Sequence, residues 1–143
     1  MRDQKGFTLI ELIMVIVILG ILAAVVVPKF FDFTTDAHKA SVESVVGTLK
    51  SGLEIYAADQ IVNNGYKKYI KGSSLALATV LDQVPDNWAL QDASGDKVNI
   101  VYTGDSNFGS GVKVEYDCSG DAGDGYTLTL KTAAYGWSVG KTF

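Results

Sequence analysis

The chain has 143 residues with a formal net charge of −4, 48% hydrophobic and 20% charged residues. That composition is a folded domain's, not a disordered chain's, and its acidic balance argues against a nucleic-acid partner, which needs a Lys/Arg-rich face. A single cysteine, Cys118, excludes an internal disulfide and a Cys-rich zinc site, and the single histidine, His38, leaves no basis for a nucleophile–base pair, so no enzyme is expected.

Met1 to Gly6 is short and polar, with Arg2, Asp3 and Lys5. From Phe7 to Val27 the chain is almost wholly apolar, Thr8 and Glu11 being the polar exceptions. Those 21 residues form a helix of roughly the 30 Å of a bilayer core. The run is longer than the apolar core of an ordinary secretory signal, and Arg2 and Lys5 favour a cytoplasmic amino end. Glu11 is the anomaly. A carboxylate inside hydrocarbon costs a few kcal/mol, and no Lys, Arg or His within the segment pairs with it. Its partner must then come from outside the segment, or the residue must be protonated; a free α-amino group on a neighbouring chain would serve if the peptide bond near Phe7 were cut.

The octapeptide Lys5-Gly6-Phe7-Thr8-Leu9-Ile10-Glu11-Leu12 closely resembles the prepilin signature shared by type IV pilins and type II secretion pseudopilins. The continuation Gly20-Ile21-Leu22-Ala23-Ala24 through Pro28 is also like that family. The resemblance implies a leader at 1–6, cut between Gly6 and Phe7 by a prepilin peptidase, with Phe7 N-methylated as the new first residue. It implies that Glu11 neutralises the Phe7 amine of an adjacent subunit and sets axial register. Loss of Arg2, Lys5 and Asp3 would take the formal charge from −4 to −5. The implied partners are further copies of the chain in a helical homopolymer, minor pilins, an inner-membrane assembly platform and its ATPase. The implied location is a single pass in the inner membrane before assembly and a surface filament afterwards.

Residues 7–28 are therefore expected as a membrane and filament-core helix, and 29–60 as its amphipathic continuation. Pro28 removes an amide donor and should bend or interrupt the helix, and Gly20 weakens it by about 1 kcal/mol relative to Ala. By resemblance, Gly20 to Pro28 is a candidate segment for loss of helix on assembly. Phe30, Phe31 and Phe33 fall near the expected membrane interface. Val42, Val45, Val46, Leu49, Leu53 and Tyr56 then recur at three- and four-residue spacing, one apolar stripe on a helix that reaches about Gln60. Asn63-Asn64-Gly65 should end it. His38, among polar neighbours, reads as a solvated surface residue.

Residues 61–143 are expected as the head. Ser73-Ser74 before Leu75, Leu77, Val80 and Leu81 look like a capped short helix, Pro85-Asp86-Asn87 a turn, and Trp88 a residue packed on the following sheet. Three runs alternate strictly: Val98, Ile100 and Tyr102; Val112, Val114, Tyr116 and Cys118; Tyr126, Leu128 and Leu130. Tyr135 to Val139 offers a fourth strand. The predicted fold class is α+β, a long amino-terminal helix, hydrophobic then amphipathic, packed on an antiparallel sheet of three to four strands. Cys118 should be a buried thiol.

Many pilins close a carboxy-terminal loop with a disulfide, which this chain lacks, and major pseudopilins typically use calcium instead. The resemblance therefore raises a calcium set from two acidic loops, Asp105 and Asn107, then Asp117, Asp121 and Asp124, although no EF-hand spacing is present. The stretch from Pro28 to Ala40 is similar to mannose-sensitive haemagglutinin-type pilins. The function expected from the resemblance is a structural pilus subunit, with the major pseudopilin of a type II secretion system as the alternative.

Overall fold

The computed structural model describes residues 6–119 and 125–143. Its elements are α1 (Leu9–Asn64), a 3₁₀ turn (Gly72–Ser74), α2 (Leu77–Val80), β1 (Trp88–Ser94), β2 (Lys97–Tyr102), β3 (Val112–Asp117) and β4 (Thr127–Leu130). The chain divides into two compact units, one up to Ala37 and one from His38 to Phe143.

The first unit is the amino-terminal part of α1. Its large apolar side chains are exposed all round, among them Leu9, Ile13, Val17, Ile21, Val25, Phe30 and Phe33. A helix apolar on every side has to be covered by lipid or by other chains. Among the described residues, α1 is the helix long and apolar enough to cross a membrane. It is not interrupted at Pro28, contrary to one of the two sequence-based expectations there, and Gly20 to Pro28 is helical throughout. Proline removes one amide donor from a long helix, and the remaining i→i−4 bonds carry it across.

In the second unit the α1 stripe is buried where the spacing predicts it. Val42, Val46, Leu49, Leu53 and Ala57 are closed off, with Val45 and Tyr56 partly so, in one core with the inner faces of the strands. Each large side chain so covered contributes about 1.5–3 kcal/mol. The helix ends at Asn64, a turn later than expected. Gly65, at φ 77°, takes the left-handed cap and donates its amide to the Ile61 carbonyl at 3.0 Å.

The sheet is antiparallel in the order β1-β2-β3-β4. Inward positions carry Val98, Ile100 and Tyr102 on β2, Val112, Val114 and Tyr116 on β3, and Leu128 and Leu130 on β4. The Tyr116 hydroxyl donates to the Ile70 carbonyl at 2.6 Å, tying the segment after α1 to the sheet. Cys118 is buried, as expected, with its thiol on the Asp96 carbonyl at 3.3 Å.

Three expectations are corrected. The fourth strand is β1, not 135–139: Tyr135 (φ 52°) and Gly136 (φ 79°) turn the chain back, so that Ala134 bridges Trp137. β1 hides its alternation because it is mostly exposed and bulged between Gln91 and Ser94, with Asp92 at φ 53°. Ser73 and Ser74 form the 3₁₀ turn, and α2 starts after Ala76 without a side-chain cap. His38 is half-buried, its Nδ1 hydrogen-bonded to the Tyr102 hydroxyl at 2.8 Å. Val101, on the outward register with Asn99, is nonetheless fully buried, and the Gly111 backbone closes over it.

The outer face of the sheet carries the ion pairs Lys97–Asp117 at 2.8 Å, Lys131–Glu115 at 2.9 Å and Lys113–Asp92 at 3.6 Å. The hydrogen bond from Lys97, helped by the Ser119 amide, lowers the Asp117 carboxyl to about 2. A carboxyl depressed in the folded state adds stability above its unfolded value, near 4, and loses it as pH falls toward 2. Thermal unfolding of the wild-type chain should therefore shift down across pH 4 to 2. Asp117→Asn should flatten the part of that shift that Asp117 supplies, and an unchanged slope in the variant would reject the assignment.

Candidate processing and assembly site

The sequence singles out Gly6, Phe7 and Glu11, and the structure places all three at the start of α1. Gly6 is exposed and lies in the extended lead-in, where an added Cβ would meet nothing within 4 Å. Glycine at this position is thus not demanded by the chain's own packing. Phe7 is 90% exposed. A small residue followed by an accessible aromatic, just outside a helix, is a geometry that an external enzyme can reach. Arg2, Asp3 and Lys5 lie outside the described residues.

Glu11 has a neutral partner within its own chain. Thr8 precedes the first helical residue, and Glu11 stands three positions on. The Thr8 amide donates to Glu11 Oε2 at 2.8 Å, the Thr8 hydroxyl donates to the same oxygen at 2.6 Å, and the Glu11 amide donates to Thr8 Oγ1 at 3.4 Å. This is a reciprocal capping box, which meets amide donors that a helix start leaves free. Its signal, Thr8-Leu9-Ile10-Glu11, was legible as Thr-x-x-Glu. The first-turn position also suits a carboxylate, because the helix dipole is positive there.

The box satisfies hydrogen bonds but not charge. Both donors to the carboxylate are neutral and both bind Oε2, so Oε1 is without a hydrogen-bond partner among the described residues. Glu11 is held by Thr8 in one orientation, and the donors that hold it bring no positive charge. A cation brought to Oε1 meets an acceptor already fixed in place.

Gly20 and Pro28 sit within the exposed apolar helix, and an added Cβ at Gly20 would also meet nothing within 4 Å.

Asp105 and Asp117, the described aspartates of the two acidic loops, do not gather into one site. Asp105 follows the Tyr102 end of β2, and Asp117 ends β3 opposite Lys97. Six paired residues separate those ends, about 17 Å at strand spacing. Asp105 is buried and its Oδ1 accepts from the Asn107 amide and side-chain Nδ2, both at 2.9 Å, while Asp117 is held by Lys97 and Ser119. Asp105 and Asp117 thus do not fit one calcium ion. Asp121 and Asp124 lie outside the described residues, and among the described residues no group of three or more metal-ligating side chains is present.

Comparison with known proteins places this helix start in context. A family model described as the prokaryotic N-terminal methylation motif matches residues 1–27. A fimbrial protein of Pseudomonas aeruginosa is 36% identical over 123 residues, covering 79% of this chain and 76% of that protein. The chain belongs to the type IV pilin and pseudopilin family. Within that family, the type IV narrow pilus major component PilA5 of Thermus thermophilus is 51% identical over 51 residues, 36% of this chain and 44% of that pilin. The type II secretion system core protein G of Klebsiella michiganensis is 43% identical over 58 residues, 41% of each chain. The chain thus spans about three quarters of the first relative but under half of the other two. No solved structure gives a significant match.

Proposed function

We propose that this protein is a structural subunit of a type IV pilus, made as a prepilin, cut between Gly6 and Phe7, and polymerised through the apolar half of α1. The observation that carries the pilus reading is the reach of the fimbrial match. It extends over 79% of the chain, whereas these secretion core G proteins align over 41% to 61%. The helix start supports the rest: an open Gly6–Phe7 bond, an exposed apolar helix behind it, and Glu11 held by neutral donors.

Before assembly the apolar helix sits in the inner membrane, where lipid covers the surface that the fold leaves bare. Cleavage turns Phe7 into a chain end with an amine, methylated in the mature form. In the filament the helices bundle and lipid is exchanged for neighbouring helices. The Phe7 amine of one subunit then meets Glu11 of another, which compensates both charges in a low-dielectric core and fixes the axial step. The peptidase, an assembly platform with its ATPase, and minor pilins act around this step. The role is structural rather than catalytic. The second reading, a major pseudopilin driving protein export, is favoured by one feature, the absence of a cysteine pair to staple the head. Long surface filaments at natural expression, with retraction-motor and adhesin genes nearby, separate the pilus from a secretion operon.

Mass spectrometry of filaments sheared from cells should find a chain that begins at methylated Phe7. A membrane-retained chain still beginning at Met1 would overturn the proposal. Gly6→Ala, and bulkier residues more strongly, should block cleavage while the head remains folded, because an added Cβ there would meet nothing within 4 Å among the described residues.

A further inference from the structure

The second unit carries a cavity of about 350 Å³ that filament assembly through α1 does not use. It opens between Lys50 and Glu54 of α1, Tyr69, the start of β4 at Tyr126 and Thr127, and the chain's last residue, Phe143. The volume falls in the range of small-molecule sites, about 300–1,000 Å³.

Its charges are unusually arranged. Lys50 and Glu54 stand one turn apart on one helix face, a spacing at which a carboxylate and an ammonium normally pair. Here both Glu54 oxygens are engaged elsewhere: Oε1 accepts from the Tyr69 hydroxyl at 2.7 Å and Oε2 faces Lys67 Nζ at 3.3 Å. The Tyr69 hydrogen bond, aided by Lys67, holds the Glu54 carboxyl below the usual carboxylate range. Lys50 is left without an ion pair among the described residues. Lys50 thus stands in the cavity wall with its charge uncommitted, beside an acceptor already held in place by Tyr69 and Lys67.

The walls define the ligand further. Tyr126 is half-buried, braced by the edge of Tyr69 at 4.8 Å between centroids, and lines the cavity with its ring. Thr127 lines the cavity as well. An inorganic anion would match Lys50 but leave the aromatic wall idle. A neutral sugar would match the ring and Glu54 but leave Lys50 idle, and an amine would be repelled by Lys50. A pyranose bearing a carboxylate uses every group.

We propose that this cavity binds a hexuronic acid residue, its carboxylate on Lys50, a ring hydroxyl donating to Glu54, and its C–H face against Tyr126. The surface of an acidic polysaccharide is thereby the class of material the head grips.

Saturation-transfer NMR on the full chain in detergent micelles tests this, with galacturonate as the probe, methyl β-galactoside as the neutral control and inorganic phosphate as competitor. Galacturonate ring protons should receive saturation more strongly than those of the galactoside. Lys50→Met should weaken galacturonate about tenfold, as loss of a charge-assisted hydrogen bond does, and leave the galactoside unchanged. Lys50→Glu should abolish galacturonate transfer. Lys50 is exposed, and near-ultraviolet circular dichroism from Trp88 and Trp137 confirms that each variant is folded. Equal transfer to both sugars, an unchanged galacturonate affinity in Lys50→Met, or equipotent displacement by phosphate alone would each overturn the proposal.

Discussion

Glu11→Gln should leave the chain helical from Leu9 and still cleaved after Gly6, yet reduce the yield of sheared filaments by an order of magnitude or more. The prediction depends on separating two jobs done by one carboxylate. Glutamine at the third helical position completes a capping box as glutamate does, so the bonds with Thr8 survive. It carries no charge, so the amine of a neighbouring chain would be buried unmatched, which costs several kcal/mol in a low-dielectric core. Thr8→Val is the complementary variant. It removes the cap at a cost of about 1 kcal/mol but keeps the charge, and filaments should be reduced far less. Yield is read by quantitative blotting of sheared material, and cleavage by the mass of the membrane-bound chain. Wild-type yield from Glu11→Gln would mean that the residue acts only as a cap.

Gly52→Ala should lower the melting temperature of the head by roughly 10–20 °C, although alanine is the better helix former. A Cβ at Gly52 would lie 1.9 Å from the Val80 carbonyl oxygen and 2.8 Å from its carbon. Backbone cannot swing aside as a side chain can, so α2 must lift off α1, at a net cost of about 2–3 kcal/mol after the gain in propensity. Gly47 gives the internal control. It stands on the same helix, and a Cβ there would meet nothing within 4 Å, so Gly47→Ala should stabilise by about 1 kcal/mol. Both tryptophans lie in the head, and their near-ultraviolet signal isolates its unfolding from that of the apolar helix. Equal shifts for the two alanines would show that close approach at Gly52 does not govern the packing of α2.

Periodicity reached furthest where burial is one-sided. The stripe from Val42 to Leu53 and the inward positions of β2, β3 and β4 all stood in the sequence, because a half-buried helix and a half-buried strand each write their period into the choice of side chain. β1 was illegible for the opposite reason. An exposed, bulged strand has no inside to record, so only Trp88 and Leu90 keep any trace of a buried side. Tyr135 to Val139 had the β-rich composition of a strand, but two consecutive left-handed residues make it a turn. His38 misled because its sequence neighbours are polar, whereas the contact that half-buries it comes from Tyr102, 64 positions away. At the helix start, the partner of Glu11 is neutral and three residues back, written in the sequence as Thr-x-x-Glu rather than as an opposite charge. Separation of Asp105 from Asp117 followed only from the β2–β3 register.

The bulge in β1 bears on how heads behave when crowded. The far edge of β4 is closed by the chain's own last residues, with Thr129 bridging Thr142 and the Phe143 amide on the Leu128 carbonyl. That leaves β1 as the exposed rim of the sheet, and there the left-handed Asp92 breaks the regular ladder. An interrupted, charged rim is a poor template for a strand from another molecule. Subunits pressed side by side in a membrane or along a fibre therefore do not zip head to head into an amyloid-like ribbon. The surface left for association is the exposed apolar part of α1, a helix face whose backbone hydrogen bonds are already made.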